Sequence, residues 1–486
     1  HHQPRRTITY RLKTMTKTTT TTLKETAARC CKKVYIGTAV LPKPLFIYDH
    51  DDDIESKSGD DPPPIIKCAT INPVEATDPH HSKPAKPTRY ARTLFSEFNS
   101  LVIEHHLKWT PLVHSLPWPF HPEHAAAPPP ARFGKYDFHH VDALVDYALL
   151  QNPQMHIKGH VLVWHVTSPP FLEDLPPSQV RSHLKRHIFT TMGHFRGRIR
   201  MWDVVNESLA SDGTLVENVF YTKLGPGYIE ECFRWAHEAD PGAFLIYNDN
   251  KVEGCGNEEE EAPNQAKSDG FYALLKSLVE KGVPVHGAGM QAHFNAGGVG
   301  KRQRCPTPAM VKRQIRRIGD LGLMVNISEM DVRVSKLPAG PGNDCDDSDV
   351  EMNVRTVAQT QIYRDILSAA LSEPAFHGIW LWGFTDRHTW VNNFYYDDSP
   401  LIFDEKYNKK SSYYGVKIAL ETLCPGGRVG ELTGGENASC LLEKNVDDEG
   451  MKWGYQWIQP EPEEELENFI STDTTKSGNP DWLQPS

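Results

Sequence analysis

Eight short runs of β-branched and aromatic residues, most of them separated by stretches of helical period, constrain this chain more than any other feature. The runs are VYIGTAV (34–40), SLVIEHHLKW (100–109), HIKGHVLVWH (156–165), RMWDVVNE (200–207), AFLIYNDN (243–250), GAGMQAHF (287–294), LMVNISEMDV (323–332) and GIWLWGFTD (378–386). Several are apolar on both faces, as strands covered on both sides within an α/β fold must be. Helical patterns between them include HVDALVDYALLQ (140–151), YIEECFRWAHEA (228–239), FYALLKSLVEKG (271–282) and VAQTQIYRDILSAAL (357–371). Eight strands alternating with helices, without an internal repeat, predict a (β/α)8 TIM barrel with inserted loops and an irregular C-terminal tail. An open doubly wound sheet competes with it, but that fold usually carries a Gly-rich phosphate turn after its first strand, and GTAV is not one.

Seven of the eight runs close on polar or aromatic side chains: Glu104 and Lys108, His160 and Trp164, Asn206 and Glu207, Asn248 and Asp249, Gln291 and His293, Glu329 and Asp331, Trp382 and Asp386. A barrel gathers the C-terminal ends of its strands at one mouth, so these groups would share one site. Glu207 and Glu329 stand out because each closes an otherwise apolar strand, the fourth and the seventh. A single Glu at a strand end is more often a loop salt-bridge partner; two at one mouth suggest chemistry. Glycosidic cleavage needs one carboxylic acid to protonate the departing oxygen and one carboxylate to attack or stabilise the oxocarbenium-like centre, about 5–5.5 Å apart in retaining enzymes.

With these motifs in this order, the chain over about residues 23–425 resembles glycoside hydrolase family 10, the β-1,4-xylanases. WDVVNES resembles the family's acid/base motif, which implies Glu207 as acid/base and Asn206 as ligand of the sugar 2-hydroxyl. ISEMDV is similar to the nucleophile motif, which implies Glu329 as nucleophile, Asp331 orienting His293 of GMQAHF, and His293 holding Glu329 ionised, with Gln291 on the same wall. KGHVLVWH implies His160 and Trp164 at the −1 sugar. IEHHLKW implies Glu104 and Lys108 as glycone-side ligands, and LWGFTDRHTW implies Trp382 and Trp390 as caps of that side. The implied reaction is retaining endo-hydrolysis of internal β-1,4 bonds of xylan, with no cofactor and no metal. Four positions depart from the family pattern: His105 stands for an Asn, Thr167 for a Gln, Asn250 for a Tyr and Lys158 for an Arg. Loss or reshaping of a buried polar partner shifts discrimination by about 1–3 kcal/mol, so these changes bear on sugar preference rather than on the reaction.

The net charge of −11 argues against a nucleic-acid groove or an anionic membrane surface and is compatible with a neutral polysaccharide. No apolar run reaches transmembrane length. The expected organisation is an N-terminal extension (1–22), a catalytic domain (23–425) with an insertion at about 49–88, and a tail (426–486) rich in Gly, Glu and Pro. Acidic loops are expected at 253–263 and 339–350; the second lacks EF-hand spacing and reads as solvated. Nine Cys without metal spacing leave the disulfide state open. Sequons at Asn206 and Asn326 fall on core strands and should stay unmodified, which leaves Asn437 as the acceptor if the chain is secreted. The substrate class suggests secretion although no signal peptide is seen, and a monomer is the default. Three readings compete: a metal-dependent amidohydrolase, which would want H-x-H on the first strand; a non-catalytic carbohydrate-binding protein of the same fold; and a β-1,4-glucanase.

Overall fold

The computed structural model describes residues 21–30, 33–46, 87–113, 136–296, 305–334, 348–395 and 397–423. Its strands are β1 (Tyr35–Val40), β2 (Ser100–Ile103), β3 (His156–Gly159), β4 (Met201–Asn206), β5 (Phe244–Asp249), β6 (Gly287–Met290), β7 (His293–Asn295), β8 (Met324–Arg333) and β9 (Phe376–Leu381). All pairings among them are parallel. The ladder runs from β1 to β6, passes from β6 to β8 and β9, and returns from β9 to β1. Eight strands therefore close into a barrel without a free edge, the TIM barrel that the alternation predicted. β7 continues the sixth staves' line beyond β6, pairing with the far end of β8. Apart from residues 21–22 and 87–88, the expected N-terminal extension and the insertion lie outside the described residues, as does the whole tail.

The doubly apolar runs are buried throughout: every residue of β4 and β6, and all but the first of β1 and β5. Two runs stop being strands earlier than their composition suggests, β2 at Ile103 and β3 at Gly159. The apolar residues beyond them are buried all the same. Leu107 and Trp109 lead into the helix Trp109–Val113, while Val161, Leu162 and Val163 pack irregular backbone that touches β4 through a single bridge, Val163 to Val205. The helix expected at 228–239 runs over Tyr228–Ala239; the last of the four begins at Ser348 rather than 357.

Burial is divided between two apolar bodies. The larger lies between barrel and helices. The smaller fills the barrel itself with Ala39, Val102, Met201, Ile246, Trp380 and Trp382. Trp380 dominates it: the indole N–H donates to Ser100 Oγ at 2.9 Å, and the ring lies against Gly37 on the neighbouring strand. A Cβ at Gly37 would fall 2.3 Å from Trp380 Cδ1, so the barrel holds its largest side chain only because β1 carries no side chain there. Gly37→Ala should therefore destabilise the fold by about 1–3 kcal/mol through overpacking. Urea denaturation would show this as a lower midpoint with an unchanged slope; a variant as stable as the parent would mean that the indole has room to move.

Candidate active site

Consecutive strand residues point to opposite faces, so a plain strand end offers a site every second side chain. Here the alternation is broken at three strand ends. Glu207, just past β4, adopts a left-handed backbone (φ +53°), which lets it share the cleft with Asn206. Between β6 and β7, Ala292 is left-handed as well (φ +64°). In β8 the register with β9 slips between Ile327 and Met330, so neighbouring Ser328 and Glu329 both reach Asn248 at the end of β5. Eleven of the twelve residues to which the resemblance gives a role line one cleft of about 500 Å³, and the twelfth, Asp331, lies behind His293. Of the other strand-end residues expected at the mouth, Asp249 and Asp386 do not line it and pair instead with Lys267 and Lys410.

A chain of hydrogen bonds joins the two glutamates. Gln291 Nε2 donates to Glu207 Oε1 (2.7 Å) and to Asn206 Oδ1 (3.2 Å). Asn248 Nδ2 donates to the same Asn206 oxygen (2.9 Å) and to Glu329 Oε1 (2.8 Å). Ser328 Oγ donates to Asn248 Oδ1 (2.6 Å), which fixes the amide's orientation. Trp164 Nε1 donates to the other oxygen of Glu207 (3.2 Å), so the plane of this carboxyl is set from two sides. On the Glu329 side, His293 Nε2 stands 3.4 Å from Oε2 while its Nδ1 faces Asp331 Oδ2 at 2.8 Å. Trp390 Nε1 donates to that same Asp331 oxygen (2.7 Å). Asp331 thus orients an imidazole and an indole together.

The floor of the cleft carries a second carboxylate anchor. Asp203 Oδ2 receives Lys158 Nζ (2.9 Å) and His160 Nδ1 (3.0 Å), all three nearly fully buried. The ammonium that replaces the family's Arg is thereby engaged beneath the cleft. His160 packs edge-on against Trp382 (5.0 Å between centroids), and Lys108 Nζ lies 4.8 Å from the centre of the Trp164 ring.

The electrostatics treat the acidic residues differently. Burial alone would raise Glu329, but the His293 hydrogen bond and the positive charges of His160, His293 and Lys158 outweigh it and hold the carboxyl at about 2. Burial would lower His293, but Asp331 and Glu329 hold it well above the usual histidine value. Burial pushes Glu104 up against the pull of Lys108, and it pushes Lys108 down against the pull of Glu329, Glu104 and Glu207. The signs fix a pH window. The depressed Glu329 contributes stability above its unfolded value near 4.5 and loses it as pH falls through about 2. The elevated His293 contributes fully below 6.5 and loses its share as pH rises through its folded value. Between these limits the pair is held as an ion pair.

The four departures fall in different places. His105 lines the cleft, and burial, with Lys108 and His106 beside it, keeps its imidazole neutral. Asn250 also lines the cleft, its side-chain oxygen taken by Lys267 Nζ (2.8 Å). Thr167 is buried and is not among the cleft-lining residues, and Lys158 sits on Asp203. Sequence reasoning gave no role to Asn248, although it stood at a strand end, and it passed over Glu253, Arg333, Phe394 and Tyr395, which line the same cleft. Glu253 was read as the start of an acidic loop. Residues 257–261 are exposed as that reading expects, but Glu253 itself is buried. The other acidic loop lies outside the described residues over 339–347.

Removing the imidazole isolates its share of this arrangement. His293→Ala should raise the Glu329 carboxyl from about 2 toward the ordinary carboxylate value, visible in a carbon-13 NMR titration of side-chain carboxyls. A Glu329 still titrating near 2 in that variant would assign the effect to the other nearby cations.

Comparison with known proteins identifies the family. The model of glycosyl hydrolase family 10 matches residues 72–419. The chain is 34% identical over 336 residues to endo-1,4-beta-xylanase B of Thermotoga neapolitana, covering 68% of this chain and 84% of that one. It is 31% identical over 336 residues to a beta-1,4-xylanase of Dictyoglomus thermophilum, covering 67% and 83%. Among solved structures, xylanase 10B from Thermotoga petrophila RKU-1 in complex with xylobiose superposes with a TM-score of 0.61 at 30% identity, covering 84% of this chain and all of that one. A cleft built around two linked glutamates in a closed parallel barrel, together with these likenesses, places the chain in glycosyl hydrolase family 10.

Proposed function

We propose that this chain is a retaining endo-1,4-β-xylanase acting by double displacement, with Glu329 as nucleophile and Glu207 as acid/base. The observation that carries the reading is the asymmetry between two linked carboxyls: Glu329 is held ionised beside His293, whereas Glu207 is oriented by neutral donors. In the first step a Glu329 oxygen attacks the anomeric carbon and the glycosidic C–O bond breaks. Glu207 delivers its proton to the departing sugar oxygen and is left as a carboxylate. In the second step Glu207 takes a proton from water, whose oxygen attacks the same carbon. The bond to Glu329 breaks, and both glutamates return to their starting states.

The surrounding groups suit these steps. Asn206 has its oxygen occupied by Gln291 and Asn248, which leaves its amide nitrogen to donate to the sugar 2-hydroxyl, where hydrogen bonds strengthen in the transition state. His160, with Nδ1 turned to Asp203, presents its other ring nitrogen to the −1 sugar. Glu104, Lys108 and the indoles of Trp164, Trp382 and Trp390 supply polar contacts and flat apolar surface on the glycone side. Relatives named as xylanases and a related structure bound to xylobiose support xylan as the substrate.

The protein should release reducing sugar from xylan in preference to mixed-linkage β-glucan and carboxymethylcellulose, and Glu329→Gln should abolish that release. Glu207→Gln should lose nearly all turnover of xylan while sparing much more on an aryl glycoside with a good leaving group, which needs little protonation. Equal losses on both substrates would remove Glu207 from the acid/base role. A folded wild type that binds xylan oligomers without cleaving them would point instead to a carbohydrate-binding protein.

A further inference from the structure

Glu253 lies four residues beyond β5, is only 7% exposed and lines the cleft, yet it has no part in the steps above. Its Oε1 accepts the backbone N–H of Ala292 at 2.9 Å. Ala292 is the left-handed residue between β6 and β7, a conformation that a residue bearing a Cβ adopts only when its surroundings impose it. Its neighbours on either side are Gln291, which donates to Glu207, and His293, which faces Glu329. The backbone of the preceding residue is held too: Gln291 N–H donates to Asp249 O and Gln291 O accepts from Glu329 N–H, each at 3.1 Å. The Ala292 N–H is buried beyond these ladder bonds, and the Glu253 carboxyl supplies its acceptor.

We propose that Glu253 is a positioning residue that holds the left-handed turn at Ala292, and through it aims Gln291 at the acid/base and His293 at the nucleophile. The proposal rests on the reading of Glu207 and Glu329 given above. Burial pushes the Glu253 carboxyl upward, against its backbone hydrogen bonds and the charges of His293 and Lys267, but either protonation state accepts an N–H, so the role does not require a charge. It requires an acceptor oxygen at that place and a residue at 292 that resists φ > 0.

Both requirements can be tested in the full chain with Glu253→Gln, Glu253→Ala and the double variant Glu253→Ala/Ala292→Gly, each first shown to be folded by thermal melting. On an aryl β-xylobioside, Glu253→Ala should lose roughly 100-fold in kcat, the scale of a 1 Å misplacement, with a smaller change in KM. Its acid limb should move to higher pH as His293 drifts from Glu329. Glu253→Gln keeps an acceptor and should stay close to wild type. Glycine accepts the left-handed backbone without support, so the double variant should recover a large part of the loss. Wild-type kcat in Glu253→Ala, equal damage in Glu253→Gln, or no recovery in the double variant would each overturn the proposal. If the wild type itself does not turn over, the assigned reaction fails instead. Hydrogen exchange at the Ala292 amide then decides the positioning role: slow in Glu253→Gln and fast in Glu253→Ala supports it, and equal rates overturn it.

Discussion

Four carboxyls, those of Glu104, Glu207, Glu253 and Glu329, line one cleft, and the architecture around them must keep Glu329 ionised against its burial. A buried carboxyl beside another tends to keep its proton. Here one of them is kept ionised by a specific arrangement: His293 at 3.4 Å from Glu329, itself tied to Asp331, with Lys158 and His160 adding positive charge from the floor. Among the described residues, Glu207 is held instead by the N–H groups of Trp164 and Gln291. Two residues of one type thus meet different surroundings, and a division of labour between them becomes possible.

The barrel makes this arrangement rigid. A closed parallel ladder leaves its strand ends no edge along which to slip, and the interior is packed to the point that Gly37 is needed beside Trp380. The functional side chains emerge where that regularity is interrupted. Left-handed backbone at Glu207 and Ala292 and the register slip before Met330 allow more polar groups to converge than alternation would permit. Each interruption is held by its own partners: Asn248 O for the Glu207 N–H, Glu253 for the Ala292 N–H, Gln291 O for the Glu329 N–H. Strain at the mouth is supported by hydrogen bonds from neighbouring strand ends and from the segment that follows β5.

Much of this could be read from the residues. Runs apolar on both faces, such as MWDVVN and FLIYND, read as buried strands, and their alternation with helical periods pointed to the barrel. Polar residues closing those runs marked the mouth, and Glu207, Glu329 and His293 were visible as strand-end exceptions to apolar patterns. What escaped notice depends on conformation rather than composition. Glu253 opens a segment of acidic, Gly-punctuated sequence that reads as solvent-facing, and only the turn at Ala292 shows why this carboxyl turns inward. Arg333, stacked 4.1 Å from the Tyr395 ring centre, resembles any charged residue leaving a strand until the cleft is seen. The apolar stretches after β2 and β3 looked like strand because burial and strand share one signature in sequence, and here burial served irregular backbone instead.

The central claim is that Glu329 forms a covalent bond to the sugar. It is tested most directly by trapping the intermediate with a 2-deoxy-2-fluoro xylobioside bearing a good leaving group, followed by peptide mass spectrometry. The account predicts one added 2-deoxy-2-fluoro-xylobiosyl mass per chain, on the peptide containing Glu329 and absent from Glu329→Gln. A label on Glu207, or turnover that never accumulates a covalent adduct and yields an α-configured first product, would contradict it.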